Sequence, residues 1–123
     1  MARILIAEDE QDIRDLIDFT LTYAGHEVIT ARNGIEAIDM AQKNKPDLIL
    51  MDVRMPKMNG YEACRELKAI EVVKDIPVVF LSANGQDTEI DQGMDAGAYS
   101  YIVKPFAPED LTRQVKDILD QFA

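Results

Sequence analysis

The sequence predicts an α/β fold, a doubly wound five-stranded parallel sheet with five helices. Three observations carry that prediction. Five apolar runs of four or five residues, rich in Val, Ile and Leu, recur along the 123-residue chain. Segments of helical periodicity separate them. Three of the runs are nearly continuous rather than alternating, as in strands buried on both faces. Such alternation of strand and helix implies right-handed crossovers and a sheet covered on both sides. It leaves open which of two common strand orders applies; in both, ligands bind outside the carboxyl ends of the strands.

The elements follow in order. The strand runs are Ile4–Ala7, Glu27–Thr30, Leu48–Met51, Val78–Leu81 and Tyr99–Val103. In the first helix Ile13, Leu16, Ile17, Leu21 and Ala24 form an apolar stripe, and Gly25 supplies a left-handed stop. Asn33 with Glu36 reads as a capping box that opens a second helix through Ile35, Ile38 and Ala41. Asn59 with Glu62 repeats that signal before Ala63, Cys64, Leu67 and Ile70. Asp87 is expected to cap a short fourth helix holding Ile90 and Met94, and Gly93 inside it weakens the helix by about 1 kcal/mol against Ala. Pro108 opens the last helix, whose stripe is Leu111, Val115, Ile118, Leu119 and Phe122.

Composition narrows the function. One domain fits the length, and neither repeats nor linkers interrupt it. Thirteen basic against 23 acidic residues give a net charge of −10 without a Lys/Arg cluster, which argues against direct contact with nucleic acid. The single cysteine, Cys64, precludes an internal disulfide and reads as a packing residue. His26 is expected in an exposed turn, and Met51, Met55 and Met58 read as packing. With neither a signal-peptide core nor an apolar stretch near the ~20 residues of a membrane span, a soluble cytoplasmic protein is expected.

Polar residues cluster where strands end. Glu8 and Asp9 follow the first strand, Asp52 follows the third, Ser82 ends the fourth and Lys104 follows the fifth. In a parallel sheet these positions share one edge. Taken singly, each suits a solvated turn or a helix cap. Taken together, three carboxylates repel one another until a pKa rises or a cation binds, and an all-oxygen set suits Mg²⁺. A lysine and a hydroxyl beside them make a place for a transferred phosphoryl group, with a carboxylate as nucleophile.

These motifs carry a resemblance that covers the whole chain, residues 1–123. The stretches Ile4-Leu5-Ile6-Ala7-Glu8-Asp9-Glu10, Asp47 through Asp52 to Gly60, Val78-Val79-Phe80-Leu81-Ser82-Ala83, and Gly97-Ala98 through Lys104-Pro105-Phe106 resemble the receiver domain of bacterial two-component response regulators. The chain is similar to the single-domain chemotaxis regulator of that family, and the resemblance implies its flavodoxin-like strand order, 2-1-3-4-5. The resemblance implies that Asp52 accepts a phosphoryl group from a sensor histidine kinase or histidine phosphotransferase. It implies Asp9 as a direct Mg²⁺ ligand, Glu8 as its acidic neighbour acting through a water, and the backbone carbonyl of Arg54 as a further ligand. Ser82 becomes the hydroxyl that turns toward the phosphoryl group and Lys104 its cationic partner. Tyr101 becomes the aromatic switch that rotates inward, and the bond before Pro105 is expected to be cis. Phosphorylation then reshapes the surface of helix 4, strand 5 and helix 5 toward a downstream protein target. Such a protein takes part in its own phosphorylation and dephosphorylation and is not a conventional enzyme.

The pattern departs from the family in places. Glu8 stands where aspartate is commoner, and Ser82 where threonine is frequent. Tyr99-Ser100 replaces an acidic pair that DNA-binding members use for dimer salt bridges. Arg54 and Asn84 occupy positions that vary and that influence phosphoryl lifetime. Two alternatives stand beside this reading. A small Mg-dependent aspartyl phosphohydrolase needs an acid two residues after the nucleophile, where this chain has Arg54. A phosphorylation-independent adaptor would not need the five site positions, all of which are present. The chain ends at Ala123 after the last helix, so the expected action is by protein–protein contact.

Overall fold

The structure, a computed structural model, describes residues 2–82 and 87–122, with the side chains of residues 87–90 excluded. The expectations for Asn84 and for the side chains of Asp87 and Ile90 therefore lie outside the described residues.

Strand and helix alternate throughout: β1 (Arg3–Ala7), α1 (Gln11–Tyr23), β2 (Glu27–Ala31), α2 (Gly34–Asn44), β3 (Leu48–Asp52), α3 (Gly60–Lys68), β4 (Val78–Ser82), α4 (Asp87–Asp95), β5 (Ser100–Val103) and α5 (Pro108–Gln121). The strands form one parallel sheet in the order β2-β1-β3-β4-β5. Every residue of the inner strands β3 and β4 is buried, and so is β1 after Arg3. The edge strands β2 and β5 are only partly covered. The continuous apolar runs thus belong to strands with neighbours on both sides and helices on both faces.

Alternate residues feed two cores. Ile4, Ile6, Leu48, Leu50, Val79 and Leu81 pack with Ile17 and Leu21 of α1 and with Leu111 and Val115 of α5. Leu5, Ala7, Ile49, Met51, Val78 and Phe80 pack with Ala37 and Ala41 of α2 and with Ala63, Cys64 and Leu67 of α3. Cys64 is fully buried, its Sγ 3.3 Å from the Ala96 carbonyl, and burial pushes the thiol up.

Several elements correct the sequence expectation. Asp52 is the last residue of β3, still in register with Leu81, rather than beyond the strand. Ile70 falls after α3 rather than within it. The Asn33 box is open: Asn33 accepts from the Glu36 amide at 2.9 Å, but Glu36 accepts from the Arg32 amide, one residue short of the cap. The Arg32 guanidinium lies 3.3 Å from the same carboxylate and draws it there. At α3 the Asn59–Glu62 box is closed. Leu16, Ile35 and Phe122, placed on buried stripes, are exposed. Leu16 sits one position off the Ile13–Ile17–Leu21 line, Ile35 lies in the first turn of α2, and Phe122 follows α5 and meets Tyr99 edge-on at 5.0 Å. His26 is half-buried, accepting from the Ala2 amide at 3.2 Å. Gly93 has a packing reason: a Cβ there would lie 2.9 Å from the Phe80 ring. Among the described residues no helix is long and apolar enough to cross a membrane.

Candidate phosphoryl-acceptor site

The order 2-1-3 places the ends of β1 and β3 side by side. Their following helices leave toward opposite faces, α1 into one core and α3 into the other. A crevice opens between them. Glu8 extends the β1 ladder by one bond, its amide donating to the Ala31 carbonyl at 3.0 Å. Glu8 is fully buried, while Asp9 is exposed at the rim. Asp52 closes the floor at the end of β3. Glu8, Asp9 and Asp52 each bring a carboxylate oxygen within 4.8 Å of the others.

Lys104 reaches this cluster from the far edge of the sheet. Its Nζ lies 3.0 Å from Glu8 Oε1 and 3.2 Å from Asp52 Oδ1. Its amide donates to the Ser82 carbonyl at 2.7 Å, and the Lys104–Pro105 peptide is cis. Ser82 is buried at the end of β4, one residue past the Asp52–Leu81 pair. The structure therefore brings Glu8, Asp9, Asp52 and Lys104 together, with Ser82 on the next strand. Tyr101 stands apart on β5, 40% exposed, beside a small recess lined by Val53, Phe80, Ser82, Gly93 and Met94. Arg54 is two residues beyond Asp52 with an exposed side chain.

The electrostatics follow from burial. Desolvation pushes the Glu8 carboxyl up to about 7; the hydrogen bond from Lys104 opposes this, and the charge of Asp52 adds to it. Burial alone would depress Lys104, but its bond to Glu8 and the two carboxylate charges outweigh that and hold it above the usual lysine value. One lysine thus leaves the three-carboxylate cluster short of positive charge. The shortage and the all-oxygen donor set fit a hard divalent cation.

The loop after Asp52 is tied down from both ends. Asp52 Oδ1 accepts from the Val53 amide at 2.8 Å, and the Gly60 amide donates to the Val53 carbonyl at 2.8 Å. A Cβ at Gly60 would collide with the Asp52 carbonyl oxygen, so α3 starts this close to β3 only with glycine. Gly34 plays the same part from α2, its amide donating to the Met58 carbonyl at 3.0 Å.

Comparison with known proteins decides the family. The description of the matching family, the response regulator receiver domain, applies to residues 4–116. The chain belongs to the response regulator receiver domain family. A probable transcriptional regulator ycf27 of Porphyra purpurea is 40% identical over 117 residues, 95% of this chain and 47% of the relative. The chemotaxis protein CheY4 of Vibrio cholerae superposes with a TM-score of 0.91 at 36% identity, covering 96% of this chain and 98% of that one. The receiver domain of sensor histidine kinase PA1611 from Pseudomonas aeruginosa, solved with a magnesium ion coordinated in its active-site cleft, gives 0.90 at 32% identity, covering 97% and 98%. This receiver domain spans about half the length of the regulators it matches. Receiver domains are the phosphoacceptors of two-component signalling.

Sequence reasoning missed the residues that shape this receiver site without bearing its charge. Arg14 on α1 places Nη1 2.9 Å from the Glu8 carbonyl oxygen and 3.4 Å from that of Asp9. Its signal was an arginine in the first turns of the helix that follows the acidic pair. Gly60 stood in the sequence only as the end of a matching stretch, and Gly34 was not singled out.

Proposed function

We propose that residues 1–123 act as one cytoplasmic receiver domain that accepts a phosphoryl group on Asp52 from the phosphohistidine of a sensor kinase or histidine phosphotransferase. The observation that supports it best is Lys104 bridging Glu8 and Asp52 at the mouth of a crevice that also holds Asp9. An Asp52 oxygen forms the new O–P bond as the P–N bond to the donor imidazole breaks, and the imidazole leaves with the electron pair and is protonated. Lys104 is positioned to pass from the carboxylates to a phosphoryl oxygen, and the Ser82 hydroxyl to donate to another. Asp9, Asp52 and the Arg54 carbonyl would hold Mg²⁺, with Glu8 through a water. When bound, the ion neutralises charge on the phosphoryl oxygens.

The finer reading extends to the output. Withdrawal of Ser82 toward the phosphoryl group frees the recess beside Tyr101, which turns in from its exposed position and changes the α4–β5–α5 surface offered to a protein target. Contact with nucleic acid or membrane is not part of this reading. The test is intact mass after incubation with Mg²⁺ and acetyl phosphate. Wild type is expected to gain one phosphoryl group, about 80 Da, and Asp52→Asn none. Equal gain by the variant would overturn the assignment of Asp52.

A further inference from the structure

The loop between β1 and α1 must hold two carboxylates against mutual repulsion and against that of Asp52. Four contacts fix it. The Glu8 amide donates to the Ala31 carbonyl at 3.0 Å. The Glu10 amide donates to Glu8 Oε2 at 3.2 Å. The Arg14 amide donates to the Glu10 carbonyl at 2.9 Å. The Arg14 guanidinium, through Nη1, donates to the carbonyls of Glu8 at 2.9 Å and Asp9 at 3.4 Å. Of these four only the last touches residue 9. Yet Asp9 is the exposed member of the cluster, the one with least packing to keep its carboxylate within 4.8 Å of Glu8 and Asp52.

We propose that Arg14 is a positioning residue for the acceptor site: by holding the consecutive carbonyls of Glu8 and Asp9, its guanidinium keeps both carboxylates turned toward Asp52. The inference rests on reading this crevice as the site of Mg²⁺ and phosphoryl binding. Arg14 is half-buried in the first turns of α1, which is itself anchored by Ile17 and Leu21 in the core. The restraint therefore runs from a fixed helix to a loop under repulsion. Two effects of Arg14 on a bound cation have opposite signs. Its charge alone disfavours a second cation nearby, so deleting it would tighten Mg²⁺ binding. Its geometry favours the cation, so deleting it would weaken binding.

That opposition makes the test decisive. Mg²⁺ alone is titrated calorimetrically into wild type, Arg14→Ala and Arg14→Lys, with thermal unfolding beside each. Loss of an outer partner of a metal ligand weakens metal binding by about ten-fold or more, and that is expected for Arg14→Ala. Arg14→Lys keeps the charge but not the rigid planar donor set, and is expected between the two. Binding by Arg14→Ala that is unchanged or tighter overturns the proposal, even if its melting temperature falls, because a purely structural role lowers stability without changing the affinity of the folded protein. With acetyl phosphate, Arg14→Ala should need more Mg²⁺ for half-maximal rate and regain the wild-type rate at saturation. If Arg14→Ala does not fold, wild-type affinity in Arg14→Lys is the overturning result. Should wild type bind Mg²⁺ but take no phosphoryl group, the acceptor reading fails while this titration still decides the role of Arg14. Should wild type bind no Mg²⁺, hydrogen exchange decides it: the amides of residues 8–10 are expected to exchange faster in the metal-free Arg14→Ala protein, and equal exchange overturns the proposal.

Discussion

The buried Glu8 makes stability a reporter of the charge on the carboxylate cluster. Its carboxyl titrates near 7 in the fold against 4.5 in the unfolded chain. A carboxyl whose folded value is raised favours folding while it is protonated. That contribution is complete below about pH 4.5 and is lost as pH rises through 7. A displacement of this size corresponds to about 3 kcal/mol over the whole window. Between about pH 5.5 and pH 8, where the protein is easily handled, about 2 kcal/mol of it should disappear. Full burial of the side chain leaves little solvent screening to reduce that figure. The perturbation is Glu8→Gln, which keeps the shape and removes the titration. The assay is urea unfolding in the presence of a chelator at several pH values, comparing wild type with the variant. Wild type should lose about 2 kcal/mol relative to Glu8→Gln as pH rises across the range. Parallel curves, or a wild type that gains stability toward high pH, would refute the reasoning. Mg²⁺ should reverse the trend, because a cation favours the deprotonated carboxylates.

Two further predictions concern the scaffold around the site. Asn59→Ala removes one half of the closed capping box at α3 and should destabilise the protein by about 1 kcal/mol in urea unfolding; no loss would show that the box contributes nothing. Gly93→Ala separates two opposed effects. Helix propensity alone predicts a gain of about 1 kcal/mol, whereas the 2.9 Å approach to the Phe80 ring predicts a net loss of about 1–2 kcal/mol, so a stabilised variant would remove packing as the reason for this glycine.

How much of this was legible in the sequence depends on the range of the interactions concerned. Strand existence was legible because Leu48–Met51 and Val78–Leu81 are apolar at every position, a pattern that only burial on both faces demands. Strand order was not, since alternation fits two orders and only motif resemblance separated them. Cap signals were half legible. Asn33 and Asn59 carry the same pattern, yet only Asn59 closes its box, because Arg32 competes for Glu36. A competing salt bridge from one residue outside a motif is invisible to the motif. Exposure of Leu16 and Ile35 was missed for a related reason: periodicity gives a face, while the width of sheet beneath it decides how much of that face is covered. The charged members of the site could be listed because each ends a strand. The groups around them, Arg14 through backbone carbonyls and Gly34 and Gly60 through absent side chains, act by contacts that only the folded backbone brings together.

The topology also explains why a lysine completes the site. Neighbouring strands lie about 4.8 Å apart, so β5 is roughly 10 Å from β3 and farther from β1. Asp52 ends β3 and Glu8 follows β1, whereas the fifth strand can contribute only across the end of β4. A short cationic partner from β5 could not touch either carboxylate. Lys104 touches both, at 3.0 and 3.2 Å, because its long stem crosses the strand that ends in Ser82, to which its own amide is bonded. A charge on that flexible arm can follow whichever anion the crevice holds, a carboxylate pair or a phosphoryl group, without any strand having to move. The residue the arm passes over is Ser82, which is tied to Lys104 through the backbone and lines the recess beside Tyr101, so on the function proposed above a new anion on Asp52 is expected to be felt first at the ends of β4 and β5 rather than in the β1–β3 pair.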